Sequence, residues 1–420
     1  VGFNILPRIK LSGDTESASW YAREGIRQLE ILKNLMSFQN LKQDVRIVRY
    51  TDGTEITCRS VFGIDEVEIY TPSYKVELKP KVILATSYYN GLIFRSEDCG
   101  ISWIGVDPTT VCSSGSSGLA YLADDNVLGS MRGSGICCVV KSINYGQTWN
   151  DLSQTNLNIV SSNQPLSFLE NLGGGVILLA GGVAPATTFD KVMFRSVDSG
   201  ETWTDYGQFF DGYGDFNPVG SKVYAPKNLG GGIAVVGTSA RYQNIKRTVN
   251  YGVTWSDINL GAVDGIPLVE GQTGAAFAIR GFADLGGGVV LACSGEYDWF
   301  DNVLGMQHRT YVFKSEDYGA TWTILSTWSD FEDLIGISYF GNGIVLLGSQ
   351  YYGTYRSVDS GSTWSLVSNF NSYCFYYGQG IALAGTLDGH ILRSADAGLT
   401  WIDLGEFADW ICKFEQLGSE

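Results

Sequence analysis

A seven-bladed β-propeller of four-stranded antiparallel blades is the all-β fold that this sequence predicts, with a small α+β module ahead of it. One phrase of eight residues, Ser/Thr-x-Asp/Asn-x-Gly-x-Ser/Thr-Trp, recurs seven times. The copies begin at Ser96, Ser142, Ser196, Thr248, Ser315, Ser357 and Ser394. Their starts are 46, 54, 52, 67, 42 and 37 residues apart, around the size of a four-stranded blade, so each blade carries one copy. Composition agrees: 53 glycines in 420 residues, 13% aromatics and only 17% charged residues suit short strands on tight turns rather than long helices.

Residues 1–80 contain no copy of the phrase. From about residue 15 to 40 the pattern predicts a helix, with Ile26, Leu29, Leu32 and Met36 in one stripe and Ile31, Leu35 and Phe38 beside it. Gly25 weakens it locally. Val45–Tyr50 and Thr54–Thr57 flank Asp52-Gly53, a strong hairpin signal, and Val67–Tyr70 alternates as a third strand before Pro72 opens a linker. The segment is too short for a deep core of its own, and its apolar helix face is broad. Two readings stand: a cap on the propeller, or a docking and oligomerisation module that joins the chain to an assembly partner or to a second copy.

From residue 81 to 420 each unit reads as four strands. In the third, Leu166–Leu172 and Gly174–Ala180 come first, Lys191–Arg195 follows, and Thr202–Tyr206 comes after the phrase. The runs VILLA and IVLL are continuously apolar, as in strands buried on both faces. The first unit starts directly at a second-strand segment, Val82–Thr86, and residues 411–417 read as an innermost strand with no blade to follow. Strand 411–417 therefore completes the first blade and covers an edge otherwise left bare.

Within the phrase, Asp98, Asn144, Asp198, Asn250, Asp317, Asp359 and Asp396 can accept backbone N–H bonds across a hairpin, and glycine supplies a positive φ. Trp103, Trp149, Trp203, Trp255, Trp322, Trp364 and Trp401 then drop between blades. Asn at 144 and 250 keeps the acceptor and loses the charge, a swap that catalysis or metal binding would not tolerate. The box thus reads as structural, as does the Arg or Lys that precedes every copy.

The phrase resembles the Asp-box, or BNR repeat, of sialidase-like β-propellers. That resemblance implies the propeller fold and, among its enzymes, three arginines gripping a carboxylate, a Tyr/Glu nucleophilic pair and an acid Asp. The early Phe/Tyr-Arg-Ile-Pro signature is missing, for Leu6-Pro7-Arg8-Ile9 has the wrong order and lies outside the propeller. Arg132, Arg241 and Arg309 do fall in ligand-side loops, with Glu296 and Tyr297 near in sequence, but no carboxylate pair stands out for glycosidase chemistry. The expectation is therefore no catalytic residue, no cofactor and no enzyme, with a sialidase-like glycoside hydrolase as the alternative. Box-bearing propellers also include photosystem II assembly factors and sorting receptors, which bind partners, so a propeller assembly factor is the other alternative.

Loops from second to third strand, and from each blade to the next, share the face opposite the boxes. They are rich in aromatics: Tyr88, Tyr89, Tyr242, Tyr297, Trp299, Phe300, Tyr351 and Tyr352, with Phe209, Phe210 and Tyr213 between blades. Together with Arg132, Arg241 and Arg309 they form the candidate surface for a glycan or protein. Ser294–Arg309 is the least repeat-like stretch and reads as a long loop. Its Glu296, Asp298 and Asp301 fit no calcium spacing, so no metal is expected.

The net charge of −16 opposes nonspecific binding to nucleic acid or anionic lipid. No apolar run approaches the roughly 18 residues of a membrane span. The start, Val1-Gly-Phe-Asn, carries no signal-peptide pattern, and Val1 suits a trimmed initiator Met, so synthesis in the cytoplasm is expected. Eight cysteines without a CxxC pair read mostly as buried thiols. With the acidic Gly/Tyr-rich surface and the extra module, these features suit a binding or structural component of a particle, such as a virion, tail fibre or surface appendage.

Overall fold

The structure, a computed structural model, describes residues 47–49, 55–58, 67–70, 82–88, 91–108, 116–132, 137–152, 166–181, 193–206, 223–239, 244–264, 266, 278–295, 297–301, 305–329, 333–378 and 380–417. The chain divides into two compact units, Val1–Lys79 and Pro80–Glu420. In the first, β1 (Ile47–Arg49), β2 (Glu55–Cys58) and β3 (Val67–Tyr70) form one antiparallel sheet. Ile47 lies opposite Cys58, and Glu55 opposite Tyr70. The helix expected over residues 15–40 lies outside the described residues.

The second unit is a seven-bladed propeller. Blade 1 holds β4 (Val82–Ser87), β5 (Ile93–Ser96) and β6 (Ile104–Val106). Blade 2 holds β7 (Ser116–Ala123), β8 (Asn126–Arg132), β9 (Cys137–Ser142) and β10 (Asn150–Asp151). Blade 3 is β11 (Leu166–Gly173), β12 (Val176–Gly181), β13 (Met193–Ser196) and β14 (Thr204–Asp205). Blade 4 is β15 (Val223–Gly230), β16 (Ile233–Thr238), β17 (Ile245–Thr248) and β18 (Ser256–Ile258). Blade 5 has five strands: β19 (Ile279–Gly286), β20 (Val289–Ser294), β21 (Tyr297–Asp301), β22 (Gly305–Ser315) and β23 (Thr323–Ser329). Blade 6 is β24 (Leu334–Tyr339), β25 (Val345–Ser349), β26 (Gly353–Ser357) and β27 (Ser365–Ser368). Blade 7 is β28 (Ser372–Gly378), β29 (Ile381–Thr386), β30 (His390–Ser394) and β31 (Ile402–Glu406).

The last strand, β32 (Ile411–Leu417), pairs antiparallel with β4 and supplies the innermost strand of blade 1. The seven innermost strands, β32, β7, β11, β15, β19, β24 and β28, each neighbour the next, and β28 returns to β32. The ring is closed inside a blade, by hydrogen bonds.

Each box folds the same way. The Ser or Thr at its head donates to the Asp or Asn, as Ser96 Oγ does to Asp98 Oδ1 at 2.8 Å, and accepts the glycine N–H, as from Gly100 at 2.9 Å. The seventh residue gives its N–H and hydroxyl to the same carboxylate: Thr363 donates to Asp359 at 2.8 and 2.6 Å. Where Asn stands, the second bond reverses, and Asn144 Nδ2 donates to Thr148 Oγ1 at 2.7 Å. Two consecutive residues are left-handed, not the glycine alone: Cys99, Tyr145, Ser199, Tyr251, Tyr318, Ser360 and Ala397 all have φ between 55° and 60°.

Blade packing follows from that geometry. A Cβ on Gly146 would lie 2.9 Å from Leu84, on Gly200 2.5 Å from Leu128, and on Gly252 3.0 Å from Leu178. Gly319 sits on Val235, Gly361 on Leu291, Gly398 on Leu346, and Gly100 returns to Leu383 of blade 7. In every case the apolar residue belongs to the second strand of the preceding blade. Each box tryptophan packs in a different apolar cluster between two blades, Trp149 for example with Val82, Leu84 and Ile93 of blade 1 and Leu119 and Val140 of blade 2.

The basic residue before the box crosses the same seams. Arg95 Nε donates to Tyr145 O at 2.8 Å, Arg195 to Tyr251 O, Arg247 to Tyr318 O, Arg356 to Ala397 O, and Arg393 to Cys99 O at 3.1 Å. The acceptor is always the left-handed residue of the next box. Lys141 instead meets Glu201 of the next box at 2.5 Å, and Lys314 pairs with Glu316 of its own. A compact ammonium lacks the guanidinium fork that reaches a carbonyl while packed flat.

Around the inner ring, Glu415 accepts the Tyr121 N–H at 3.2 Å and Glu170 the Asn228 N–H at 2.8 Å. Asn171 Nδ2 reaches Tyr121 O and Asn228 Nδ2 reaches Asn171 O. At the closing seam Tyr376 hydrogen bonds Gln416, and Cys374 Sγ donates to Ile411 O at 3.2 Å. Cys293, Cys374 and Cys412 are unbridged thiols, and burial pushes Cys293 up to about 12.

Two outcomes follow from the box. Gly173 and Gly146 both have positive φ, but a Cβ on Gly173 meets nothing within 4 Å. Gly173→Ala should cost roughly 1–2 kcal/mol of backbone strain. Gly146→Ala should cost roughly 1–3 kcal/mol more, because buried Leu84 cannot yield; equal melting temperatures for the two variants would refute this seating.

The second outcome concerns acid. Asp359 is lowered from 3.8 to about 2, chiefly by the Thr363 hydroxyl, then by the Thr363 N–H and the Ser357 hydroxyl. At Asp396 desolvation is the largest single effect and opposes, yet Thr400 and Ser394 together bring it to about 2. Lowered carboxylates stabilise the fold above 3.8, and that stability is lost as pH falls toward about 2. Asp359→Asn with Asp396→Asn should make the melting-temperature profile less steep across that window, since Asn boxes do not titrate, while the lowered Asp98, Asp198 and Asp317 keep part of the slope.

Candidate binding site at the mouth of the propeller

Within a blade, the turns from first to second and from third to fourth strand lie on the box face. The connections from second to third strand, and on to the next blade, lie on the other face, where the innermost strands begin. Each innermost strand carries a β-bulge near its start: between Ile279 and Gly281 in β19, Ser372 and Cys374 in β28, and Ile411 and Lys413 in β32, with equivalents in the other four. A bulge re-aims the residue it holds. Here those residues are Arg280, Tyr373 and Cys412, with Tyr224 beside the bulge in β15.

Arg280 of blade 5 pairs with Asp333, which leads into blade 6, at 2.9 Å. The Asp333 side chain is 9% exposed and that of Arg280 29%. Gly295, just beyond β20, makes room for them: a Cβ there would lie 2.6 Å from Arg280 Nε and 3.0 Å from Asp333 Oδ1. Among the described residues, buried Arg280 Nε has no hydrogen-bond partner.

Burial raises Tyr224, Asp333 adds to the shift, and Arg280 opposes it. Tyr373 is raised the same way, by burial first and then by Cys412, again against Arg280. Beside Tyr373 an aromatic floor continues into blade 1. Tyr373 stacks on Trp410 at 6.3 Å, and Trp410 lies 5.2 Å from Tyr88, whose N–H donates to Trp410 O at 3.0 Å. The arc therefore runs through blades 4, 5, 6, 7 and 1 in order. Further out on blade 7, Asp403 raises His390 from 6.5 across a 2.9 Å contact, and Phe370 lies 6.0 Å from that imidazole.

Of the residues the sequence marked, Tyr88 belongs to this arc. Tyr351 and Tyr352 lie on the same face in the turn after β25, 59% and 44% exposed. Arg132 ends β8 opposite Cys137. Tyr89, Arg241, Tyr242 and Glu296 lie outside the described residues, as do Phe209, Phe210 and Tyr213. One expectation is corrected: Ser294–Arg309 is not a long loop. Tyr297, Trp299 and Phe300 sit in β21, paired with β22, with Tyr297 opposite Arg309 and Trp299 opposite Gln307. Tyr297, Trp299 and Phe300 are residue types that favour strands, although in sequence they read as loop aromatics. Arg309 is partly buried and also lies opposite Ser329.

Tyr224, Arg280, Asp333, Tyr373 and Trp410 were missed because each sits alone in its own blade. The signal that finds them is the repeat itself, read from the Gly-rich turns back to the start of each innermost strand. Among the described residues, no three His, Cys, Asp or Glu side chains are grouped to hold a metal ion.

No family model matches the chain, and no curated protein matches it in sequence. Solved structures match its fold. The GH74 xyloglucanase of Xanthomonas campestris aligns with a TM-score of 0.54 and 16% identity, over 78% of this chain and 53% of the enzyme. The chain thus spans about half of that enzyme's length. YCF48 bound to D1 peptide gives a TM-score of 0.45 and 17% identity, over 69% of this chain and 81% of YCF48. The GH93 α-L-arabinofuranosidase of Fusarium graminearum in complex with arabinobiose gives 0.41 and 14%, over 64% and 87%.

The likeness to the xyloglucanase shows the fold alone, which the chain itself displays as a seven-bladed propeller, and identifies no particular protein. It also corrects the expectation that the chain is not an enzyme. A glycoside hydrolase uses this fold, so the lack of a sialidase signature leaves catalysis open.

Gly295 offers a clean probe of the mouth, since its φ is not positive. Gly295→Ala should part Arg280 from Asp333 and lower stability by roughly 1–3 kcal/mol. An unchanged melting temperature would show that the pair is not held there by close packing.

Proposed function

We propose that this chain is a binding component that meets a glycan or protein through the propeller face opposite the boxes, while residues 1–80 join it to a larger assembly such as a virion or tail-like particle. The observation that carries the reading is the mouth, where half-buried aromatic rings share one face with a packed ion pair. Binding sites combine apolar rings with a few fixed polar groups in this way. The box face, by contrast, spends its polar groups on holding blades together.

The test is a glycan array and a capture experiment with the intact chain, run beside Trp410→Ala, with an aryl glycoside panel to read hydrolysis. The expected result is capture of a glycan or a protein that weakens at least tenfold in the variant, at equal fold by circular dichroism. Capture unaffected by Trp410→Ala and Gly295→Ala would move the function off this face. Light scattering of the full chain reports self-association, and a monomer leaves a heteromeric partner as the role for residues 1–80.

A further inference from the structure

We infer that the mouth holds a neutral saccharide, with adjacent hydroxyls bridging Asp333 and Arg280 and an apolar C–H face on the Trp410 floor. This rests on the reading above that the face binds, and it adds the ligand's chemistry. The first argument is charge. Arg280 and Asp333 lie 2.9 Å apart and cancel. The chain as a whole carries a net −16. A carboxylated or sulfated ligand would meet no excess positive field.

The second argument is geometry. Hydroxyls on neighbouring ring carbons are separated by about one hydrogen-bond length, roughly 2.8 Å. One can donate to a carboxylate while the other accepts from a guanidinium, provided those two groups are held as close as they are here. Packing against Gly295 fixes that separation. The third argument concerns the rings. Tyr373, Trp410 and Tyr88 are half-buried, Tyr373 and Tyr88 lie at 29° and 32° to Trp410, and the Tyr88 N–H is bonded to Trp410 O. A fixed floor of this kind suits a flat apolar sugar face, whereas a protein partner is usually anchored by rings that project.

Saturation-transfer NMR on the intact chain tests this with cello-, xylo-, galacto- and manno-tetraose against oligogalacturonide and sialyllactose. The expected result is transfer to at least one neutral oligosaccharide and none to the acidic pair. Asp333→Asn, which leaves the Arg280 charge uncompensated, should lower the neutral signal at least fivefold and create one with oligogalacturonide. Trp410→Phe keeps a ring and should reduce the neutral signal only partly, with transfer to the sugar's C–H face retained. Transfer to the acidic sugars in the unmodified chain overturns the inference. So does a neutral signal that Asp333→Asn and Gly295→Ala both leave unchanged. If no sugar responds while the face still captures a protein, the inference fails and the broader reading stands; if neither binds, both fail.

Discussion

Everything in the ring depends on one contact made seven times: a left-handed glycine pressed on an apolar side chain of the preceding blade. Gly146 on Leu84 and Gly100 on Leu383 are the same event at opposite ends of the sequence. A side chain at that glycine would hold the blades apart. Because the hairpin around it is fixed by Ser/Thr and Asp/Asn bonds, the glycine cannot move aside, so local turn chemistry sets the distance between blades. The tryptophan three residues on fills the gap that this distance leaves, and at five of the seven seams an arginine before the box bonds across it. Seven seams share one spacing because seven turns share one geometry.

Much of that was legible in the sequence, for a physical reason. A turn with a required positive φ, a required hydroxyl and a required acceptor leaves a fixed residue pattern, and repetition multiplies it. The strands were legible because runs such as Val176–Ala180 are buried on both faces, and the role of residues 411–417 because an innermost strand was needed beside Val82–Ser87. The second left-handed residue of each box was not, since Cys, Tyr, Ser and Ala all occupy it. That position is defined by its carbonyl, which the neighbouring arginine uses, and a carbonyl leaves no mark on residue type.

The mouth was illegible for a related reason. Its residues are brought together by the ring and not by any local pattern, so Arg280, Asp333 and Trp410 look like ordinary members of three separate stretches. Exposed aromatics drew attention to Tyr351 and Tyr352, while the floor is made by rings that are half covered. Tyr88 was marked because it reads as a loop residue; its partner Trp410 lies where the chain passes from blade 7 into β32. Bulges that recur at the start of every innermost strand place these side chains at one end of the ring, and a bulge, unlike the box, has no residue signature here.

The closing strand has a mechanical consequence. β32 and β4 are antiparallel, with Leu417 opposite Val82 and Ile411 opposite Ser87, so the entry to the ring and its exit lie at the same end of one ladder. Tension applied between residues 80 and 417 would load the Val82–Leu417 pair first and peel the ladder one bond at a time, the weak direction for a sheet. Tension that enters at residue 80 and leaves through a ligand at the mouth would cross whole blades, and many bonds would bear it together. A ring closed in this way is suited to being held by its leading end and pulled by its face, never by its tail.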